Sequence, residues 1–382
     1  MVITQDFPGG NIEVVSQQGN RVFLKQQIRD TTLWWFYWCF CLKDAPDEEL
    51  EFVFTDGEVV GPFGPAYSMD RINWQWLGRA INHTGFTYKP DHPGQTTYFC
   101  FSMPYQLADF HRFLPSLTDS PHINYSIMCK TEQGRELPVL AIGNLSAPYH
   151  VLLTCRHHAC ESTASYVLEG VLQFLTSYFD TEINNRFLFH IAPFMDLDGV
   201  ENGDQGKCRD PYDHNRDYVS DPIYKSTAAI MDYCSQLNLV LFLDLHCPWR
   251  WNNPASEGLQ RDEDPYFGLH YSPMRERTEQ LCELLERLPP TTSLDIPYST
   301  QYNLGMGEVD WMGPEEMNPS SFFYFANKGC EISTFLEFPY FGKAEHKVTQ
   351  TSAREFGHRL AKALISWLTG NEPFMIGNGE NL

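Results

Sequence analysis

Several features that would mark a membrane or secreted protein are missing from the sequence. Residues 1–11 contain neither a basic segment nor the apolar core of a secretion signal, and no run approaches the roughly 20 apolar residues of a spanning helix. The 11 cysteines include no C-x-x-C pair, and there is no internal repeat or low-complexity tract. These absences predict a cytoplasmic protein with buried thiols in place of a disulfide framework.

Positive charge is also scarce. The chain has 27 basic against 49 acidic residues, and its formal net charge is −22. Such a surface repels phosphate backbones and anionic lipid headgroups. We therefore expect neither nucleic acid nor membrane as a partner.

The length and the first hundred residues predict two domains. At 382 residues, with 42% hydrophobic and 14% aromatic content, the chain is globular and long enough for two cores. Leu33–Leu42, Leu50–Phe54 and Thr96–Phe101 are rich in aromatic residues and are separated by turn clusters. This pattern predicts an all-β sandwich domain over residues 1–115.

The pattern changes in residues 116–382. After a hairpin over residues 123–144 and a helix through Leu175, apolar strands alternate with helices up to a terminal helix ending at Gly370. The predicted strands are Val151–Cys155, Phe187–Ala192, Leu239–Leu245 and Cys330–Leu336. Alternation of this kind predicts an α/β domain, with a mixed, mostly parallel sheet and helices on both faces.

Side chains that can bind a metal follow three of these strands directly. His158 and Glu161 form an H-x-x-E pair after one strand, His246 follows a second, and Glu337 a third. The pair alone is a weak signal, because Glu161 could be a first-turn helix carboxylate and the histidines polar loop residues. Since binding groups collect beyond the carboxyl ends of parallel strands, the combination predicts a zinc site made by His158, Glu161 and His246.

Two nearby residues leave alternatives open. His157 could exchange roles with His158, although the H-x-x-E spacing favours His158. Asp244, two residues before His246, is either a residue that orients this ligand or a strand-end cap.

A loop after Phe187–Ala192 carries further charged and amide groups. It contains Asp196 to Gly199, then Arg209, Asn215 and Arg216. In an acidic protein these arginines could simply form ion pairs. Beside a metal site they could instead bind an anionic substrate.

Together these motifs resemble the zinc metallocarboxypeptidases of the M14 type. The resemblance covers about residues 120–382 and includes the H-x-x-E pair, the histidine after a strand and a T-x-x-E motif at Thr334–Glu337. It also includes Gly134-Arg135, the loop of Asp196 to Gly199 with Arg209, and the Asn215-Arg216 pair.

The N-terminal region resembles the cytosolic carboxypeptidase subfamily. It shares a Y-S-x-D segment, Tyr67 to Asp70, followed by Trp74, and an F-x-x-P-Y segment, Phe101 to Tyr105. Two departures stand out in the catalytic region. Asp196 replaces the family's asparagine, and Glu315 stands where a tyrosine is usual, so that Tyr302 or Tyr324 would have to supply the phenol.

The resemblance implies a zinc metallocarboxypeptidase with one Zn²⁺ per chain. His158, Glu161 and His246 would bind the ion, and Glu337 would be the general base. Arg209 would face the developing oxyanion, and Asn215 and Arg216 would bind the substrate's terminal carboxylate, with Tyr302 as a further substrate contact. The expected substrate is a peptide or the C-terminal tail of a protein.

Two other functions remain open at this stage. The same metal geometry would suit a deacylase of small N-acyl amino acids. A catalytically silent protein-binding module is the third hypothesis, although intact Glu337 and Arg209 argue against it. Nothing in the sequence indicates the oligomeric state.

Overall fold

The N-terminal region folds into two packed β-sheets. The structure is a computed structural model that describes residues 1–31, 35–78, 80–117, 122–178, 181–249, 263–269, 274–305 and 319–370. The first sheet has the order β1-β4-β10-β6-β7 and the second the order β2-β3-β5-β9-β8. The strands are β1 Val2–Thr4, β2 Glu13–Gln18, β3 Arg21–Lys25, β4 Cys39–Lys43, β5 Leu50–Phe54, β6 Ala66–Ser68, β7 Gln75–Trp76, β8 Ala80–Ile81, β9 Gly85–Tyr88 and β10 Thr97–Cys100.

Aromatic rings fill the space between these sheets. Phe40 of the first sheet lies 5.4 Å from Phe52 of the second, and Phe99 lies 5.2 Å from Phe86, measured between ring centroids. Burial of rings of this size is the main hydrophobic contribution of such a core. A β domain with an aromatic core is therefore confirmed for this region, and the boundary at residues 115/116 stays a prediction.

One predicted strand is shorter than expected. Of Leu33–Leu42, only the part from Cys39 onward is a strand, and residues 32–34 lie outside the described residues. The buried segment before Cys39 makes side-chain contacts in place of a ladder, because the Phe36 N–H donates to Gln205 Oε1 at 2.7 Å. Aromatic content alone could not distinguish a strand from a buried segment of this kind.

An eight-stranded sheet organises the rest of the chain, in the order β11-β12-β14-β13-β15-β18-β16-β17. The central strands β14, β13, β15 and β18 run parallel, and β11, β12 and β16 are joined through antiparallel pairs. The strands are β11 Ile123–Lys130, β12 Glu136–Ile142, β13 Tyr149–Cys155, β14 Phe187–Ala192, β15 Leu239–His246, β16 Tyr266–Leu269, β17 Leu304–Gly305 and β18 Ile332–Glu337, with a separate hairpin of β19 Gly342–Lys343 and β20 His346–Lys347.

Helices cover both faces of this sheet. The described α-helices are α1 Leu107–Phe113, α2 Ser162–Ser177, α3 Thr181–Arg186, α4 Leu197–Asn202, α5 Lys225–Tyr233, α6 Met274–Arg287, α7 Ser321–Ala326 and α8 Gln350–Thr369. Leu241 and Leu243 share a core with α2, α6 and α8, whereas Phe242 packs with α5 and α7. Because successive strand residues face opposite sides, this division confirms the predicted α/β class.

Two glycines allow α2 and α8 to approach closely. A Cβ atom at Gly170 would lie 2.0 Å from the carbonyl oxygen of Arg354, and one at Gly357 would lie 2.1 Å from that of Val167. No larger residue fits at either point without a shift of backbone.

None of the described helices combines the length and apolar character needed to cross a bilayer.

A pair of histidines, His190 buried and His150 half-buried, lies within the sheet, away from the strand ends that carry the proposed ligands. His150 Nδ1 lies 2.9 Å from His190 Nε2, and His190 Nδ1 lies 2.8 Å from the Tyr233 hydroxyl. Burial, together with the neighbouring His150, lowers the pKa of His190 to about 4. The native state therefore holds this imidazole neutral.

This pair predicts a loss of stability in mild acid. The folded pKa of His190 lies below its ordinary value of 6.5, so its contribution is present above that pH and is lost as the pH falls toward 4. The free energy of unfolding should drop by about 1–2 kcal/mol between pH 7 and pH 5 because of His190. Urea denaturation of His190→Gln should show a correspondingly smaller drop than the wild type, and an unchanged drop would contradict the assignment.

Candidate metal centre

The site lies where three parallel strands end side by side. In the ladder between β15 and β18, His246 pairs with Glu337, and Cys155 at the end of β13 pairs with Leu245. The chain then turns at Arg156, whose φ is +61° and whose buried guanidinium donates to the Tyr105 carbonyl at 2.8 Å. This pinned turn presents the H-x-x-E pair at the sheet edge.

Two of the proposed metal ligands, His158 and His246, converge on the carboxylate of the third, Glu161. His158 Nδ1 lies 2.8 Å from Glu161 Oε1, and His246 Nδ1 lies 2.8 Å from Glu161 Oε2. Donor atoms of His158, Glu161 and His246 all lie within 4.8 Å of one another. The side chain of Glu161 is fully buried and that of His158 is 14% exposed, so the cluster meets solvent through His158.

Each imidazole is oriented by a second carboxylate on its other nitrogen. His246 Nε2 lies 2.9 Å from Asp244 Oδ2, and His158 Nε2 lies 3.5 Å from Asp213 Oδ2. A carboxylate behind a histidine fixes the ring and strengthens it as a ligand. Both Nδ1 atoms are consequently left facing Glu161.

A second donor set, formed by His157, Asp244 and His246, also meets the distance criterion for a metal. His157 contacts Asp244 Oδ1 at 2.9 Å and the Tyr218 hydroxyl at 2.7 Å, and all three side chains of this set are buried. The Asp244 oxygens also accept the hydroxyls of Thr154 and Ser321, each at 2.7 Å. Unlike the set that contains His158, this set has no exposed side chain through which a substrate could reach a metal, so we expect it to support His246.

The positive charge of Lys207 is paired with the negative charge of Glu161. Its buried ammonium donates to Glu161 Oε1 and, at 2.8 Å, to the carbonyl oxygen of Cys247. Burial alone would raise the pKa of Glu161, but Lys207, His158 and His246 outweigh it and hold that pKa well below the ordinary value. Glu161 is therefore an ionised carboxylate despite its burial.

Glu337 is buried beside these groups. Its Oε2 atom has no hydrogen-bond partner among the described residues. Burial raises the pKa of Glu337, although Lys207 and His246 oppose the shift. A buried carboxylate with a raised pKa and a free oxygen has the properties required to accept and return a proton.

The arginine predicted to face an oxyanion has other contacts in the structure. Arg209 pairs with Asp196 at 2.8 Å, with Asp30 at 3.0 Å and with Asp204 at 3.3 Å. Its guanidinium is thus surrounded by three carboxylates, and the cation in contact with Glu161 is Lys207.

Asn215 lies against His246, and Arg216 follows it in the same short turn. Asn215 Nδ2 lies 3.1 Å from His246 Nε2, and Asn215 Oδ1 accepts the Ser321 N–H at 3.0 Å. Arg216 is partly exposed and donates to the Asn215 carbonyl oxygen at 3.0 Å. The partly exposed guanidinium is therefore the more accessible group of the pair.

The two tyrosines considered as substrate contacts, Tyr302 and Tyr324, lie in different elements. Tyr302 lies in a short 3-10 turn, Thr300–Tyr302, with the Lys343 ammonium 5.2 Å from its ring centroid. Tyr324 lies on α7, 5.5 Å from the ring of Tyr218 and 5.0 Å from the Lys328 ammonium. Glu315 lies outside the described residues.

Sequence reasoning missed two residues of this centre. Lys207 lies two residues before Arg209, and both are cations of the same loop. A sequence search for a cation at the site therefore has to consider both residues. Asp213 precedes Asn215 by two residues, in the same relation that Asp244 has to His246. The shared spacing, D-x-N at Asp213 and D-x-H at Asp244, is the sequence signal that could have identified Asp213 as a supporting carboxylate.

The donor set fits zinc on chemical grounds. Two imidazoles and one carboxylate are the ligand types of catalytic zinc sites, which leave a coordination position open. Burial lowers the pKa of His158 and His246, but the surrounding carboxylates outweigh it and raise both. This field favours any cation that lies between the rings.

Comparison with known proteins agrees with this geometry. Residues 111–239 match the zinc carboxypeptidase family, a stretch that includes His158 and Glu161 and ends before His246. An uncharacterized protein of Zymomonas mobilis is 30% identical over 207 residues, which cover 52% of this chain and 54% of that protein. Cytosolic carboxypeptidase 2 of Xenopus tropicalis is 24% identical over 212 residues, covering 50% of this chain and 22% of that protein.

The chain thus spans about half the length of the first relative and less than a quarter of the second. Among solved structures, a metallo-carboxypeptidase from Burkholderia cenocepacia superposes with a TM-score of 0.79. The match covers 97% of this chain and 99% of that chain at 18% identity, which shows a shared fold. Residues 111–239 of this chain are therefore similar to the zinc carboxypeptidase family, and the chain as described shares the fold of a solved metallo-carboxypeptidase.

Proposed function

We propose that this protein is a zinc-dependent metallocarboxypeptidase that binds one Zn²⁺ per chain. Its substrate would be a peptide or protein tail with a free carboxylate, cleaved at the C-terminal peptide or amide bond. The observation that carries the proposal is the convergence of the two Nδ1 atoms of His158 and His246 on the carboxylate of Glu161. The family match supports the same reading.

The residues of the chain divide the chemistry between them. A zinc ion held by His158, Glu161 and His246 would polarise the scissile carbonyl and lower the pKa of water. Glu337 would accept the proton of the attacking water on its free Oε2 atom and deliver it to the nitrogen of the leaving amine. The O–H bond and the C–N bond would break as the new C–O and N–H bonds form.

Two cations are candidates for stabilising negative charge on the reacting carbonyl. The family resemblance implies Arg209 for this role, but Arg209 is paired with three carboxylates. The position of Lys207 against Glu161 supports this residue for the role. A buried ammonium in a site of low dielectric interacts strongly with developing charge.

Recognition of the substrate's terminal carboxylate is proposed for Arg216 with Asn215. The guanidinium of Arg216 can donate two parallel hydrogen bonds to a carboxylate. Asn215 contacts both His246, through its side-chain amide, and Arg216, through its backbone carbonyl oxygen. Tyr302 is kept as a further proposed contact, and a cytoplasmic location stays a prediction.

The deciding experiment is mass spectrometry of a peptide library after zinc loading. At least one class of peptide in the library, ending in Glu, Lys or an aromatic residue, should lose its C-terminal residue, and chelation should stop the release. Activity confined to N-acyl amino acids would instead select a deacylase. Metal binding without hydrolysis of any substrate would select a silent protein-binding module.

The first prediction separates the two adjacent histidines. His158→Ala should abolish stoichiometric zinc binding, because it removes a ligand. His157→Ala should keep one zinc per chain and weaken its affinity by about 10–100-fold, because it removes only support for Asp244. Metal analysis of the purified variants measures both, and the reverse pattern would assign His157 as the ligand.

The second prediction concerns Glu337. Glu337→Gln should lower kcat by about 10²–10⁴-fold while one zinc per chain is retained, because the amide cannot accept the proton. Glu331→Gln, an exposed glutamate at the other end of β18, is the matched control and should keep wild-type turnover. A Glu337→Gln enzyme with normal kcat would remove the proposed base.

The third prediction concerns recognition of the substrate carboxylate. Arg216→Lys keeps the charge but loses the paired donor geometry, so KM for peptides should rise by about tenfold or more. The control Arg277→Lys, at a partly exposed ion pair on α6, should leave KM unchanged. For peptides with an amidated C-terminus, which lack the carboxylate, KM should differ little between the wild type and Arg216→Lys. An equal rise in KM for free and amidated peptides would argue against this contact.

A further inference from the structure

The N-terminal region contacts the loop that carries Lys207. The Asn11 side chain donates to the carbonyl oxygen of Gly203 at 2.9 Å, and the Gly9 N–H donates to that of Glu201 at 2.9 Å. Gly203 has a φ of +80°, and a Cβ atom there would lie 2.5 Å from the carbonyl oxygen of Gly10. The two parts of the chain are therefore packed together through backbone at this point.

Asp30 makes the central contact of this interface. Its Oδ2 atom accepts the N–H of Gly206 at 2.8 Å and the Nε–H of Arg209 at 3.0 Å. The backbone carbonyl of Asp30 also accepts the N–H of Asp210 at 3.2 Å. One aspartate of the N-terminal region thus holds the residues on both sides of Lys207.

The other side of the same loop rests on the metal-binding turn. The Cys160 N–H donates to the Gln205 carbonyl oxygen at 3.0 Å. A Cβ atom at Gly206 would lie 2.3 Å from the Ala159 nitrogen, so this loop and the H-x-x-E turn are in direct backbone contact. A displacement of the loop would therefore be transmitted to Glu161 and its neighbours.

Lys207 requires such support because its charge is buried. The residue is 4% exposed, and its ammonium has Glu161 and a carbonyl oxygen as acceptors. Burial of an ion is tolerated only when the geometry of its partners is well maintained. A small shift of residues 206–209 would leave both Lys207 and Glu161 poorly paired.

We propose that Asp30 is a positioning residue of the metal centre, through which the N-terminal region holds Lys207 against Glu161. In this view Arg209 serves as the partner of Asp30 within a cluster of three carboxylates. The N-terminal region is then required for the catalytic geometry as well as for stability. The kinetic part of this inference rests on the proposed function, whereas its metal-binding part does not.

A double-mutant cycle in the full-length protein tests the proposal. Asp30→Ala should raise the zinc dissociation constant and lower kcat/KM, each by about tenfold, which is the size of effect expected when the support of a metal ligand is removed. In a Lys207→Met background the same substitution should change both by less than about twofold, because residues that act through one another are not additive. Equal changes in the two backgrounds would overturn the proposal and leave Asp30 a stabilising residue only.

Two further variants keep the test decisive. Asp30→Asn retains an oxygen that accepts the Gly206 N–H, so it should fold and recover part of the loss in zinc affinity. Asp47→Ala, at an exposed N-terminal aspartate paired with Lys89, should match the wild type in both measurements. If the wild type binds zinc but releases no C-terminal residue, the proposed function fails, and the zinc-affinity cycle alone still decides the role of Asp30.

Discussion

The structure of this protein depends on keeping one fully buried carboxylate ionised. Glu161 has no contact with solvent, and an isolated charge at such a depth would be very costly. Its two oxygens instead meet His158, His246 and the ammonium of Lys207. Each of these partners comes from a different segment, so the fold must bring all of them to one point.

The parallel sheet meets this requirement through its register. Strands that run side by side end at the same edge, and the residues that follow them are brought together without long connecting segments. The ladder places His246 opposite Glu337, while the ligand turn follows the neighbouring strand. Helices on both faces exclude water from the strands, and the glycines between α2 and α8 allow the close packing on one of these faces.

A second set of polar residues determines how the first is oriented. Asp244 and Asp213 face the outer nitrogens of His246 and His158, and Asp244 is itself held by the hydroxyls of Thr154 and Ser321. The contacts of Asp30 extend this support into the N-terminal region. The centre is thus maintained by successive layers of hydrogen bonds, in which each layer limits the movement of the one inside it.

The sequence by itself determined the fold class and, to within one residue, the carboxyl ends of the strands from which His158, Glu161 and His246 are proposed as ligands, because these depend on local patterns and on the rules of parallel sheets. Only the tertiary structure decided which cation of the loop contacts Glu161, since Lys207 and Arg209 are two residues apart and local pattern does not distinguish their directions. It also decided that the segment before Cys39 packs against Gln205 without forming a strand. Contacts between residues far apart in the sequence, 46 positions for Lys207 with Glu161 and 169 for Phe36 with Gln205, select among side chains of similar chemistry.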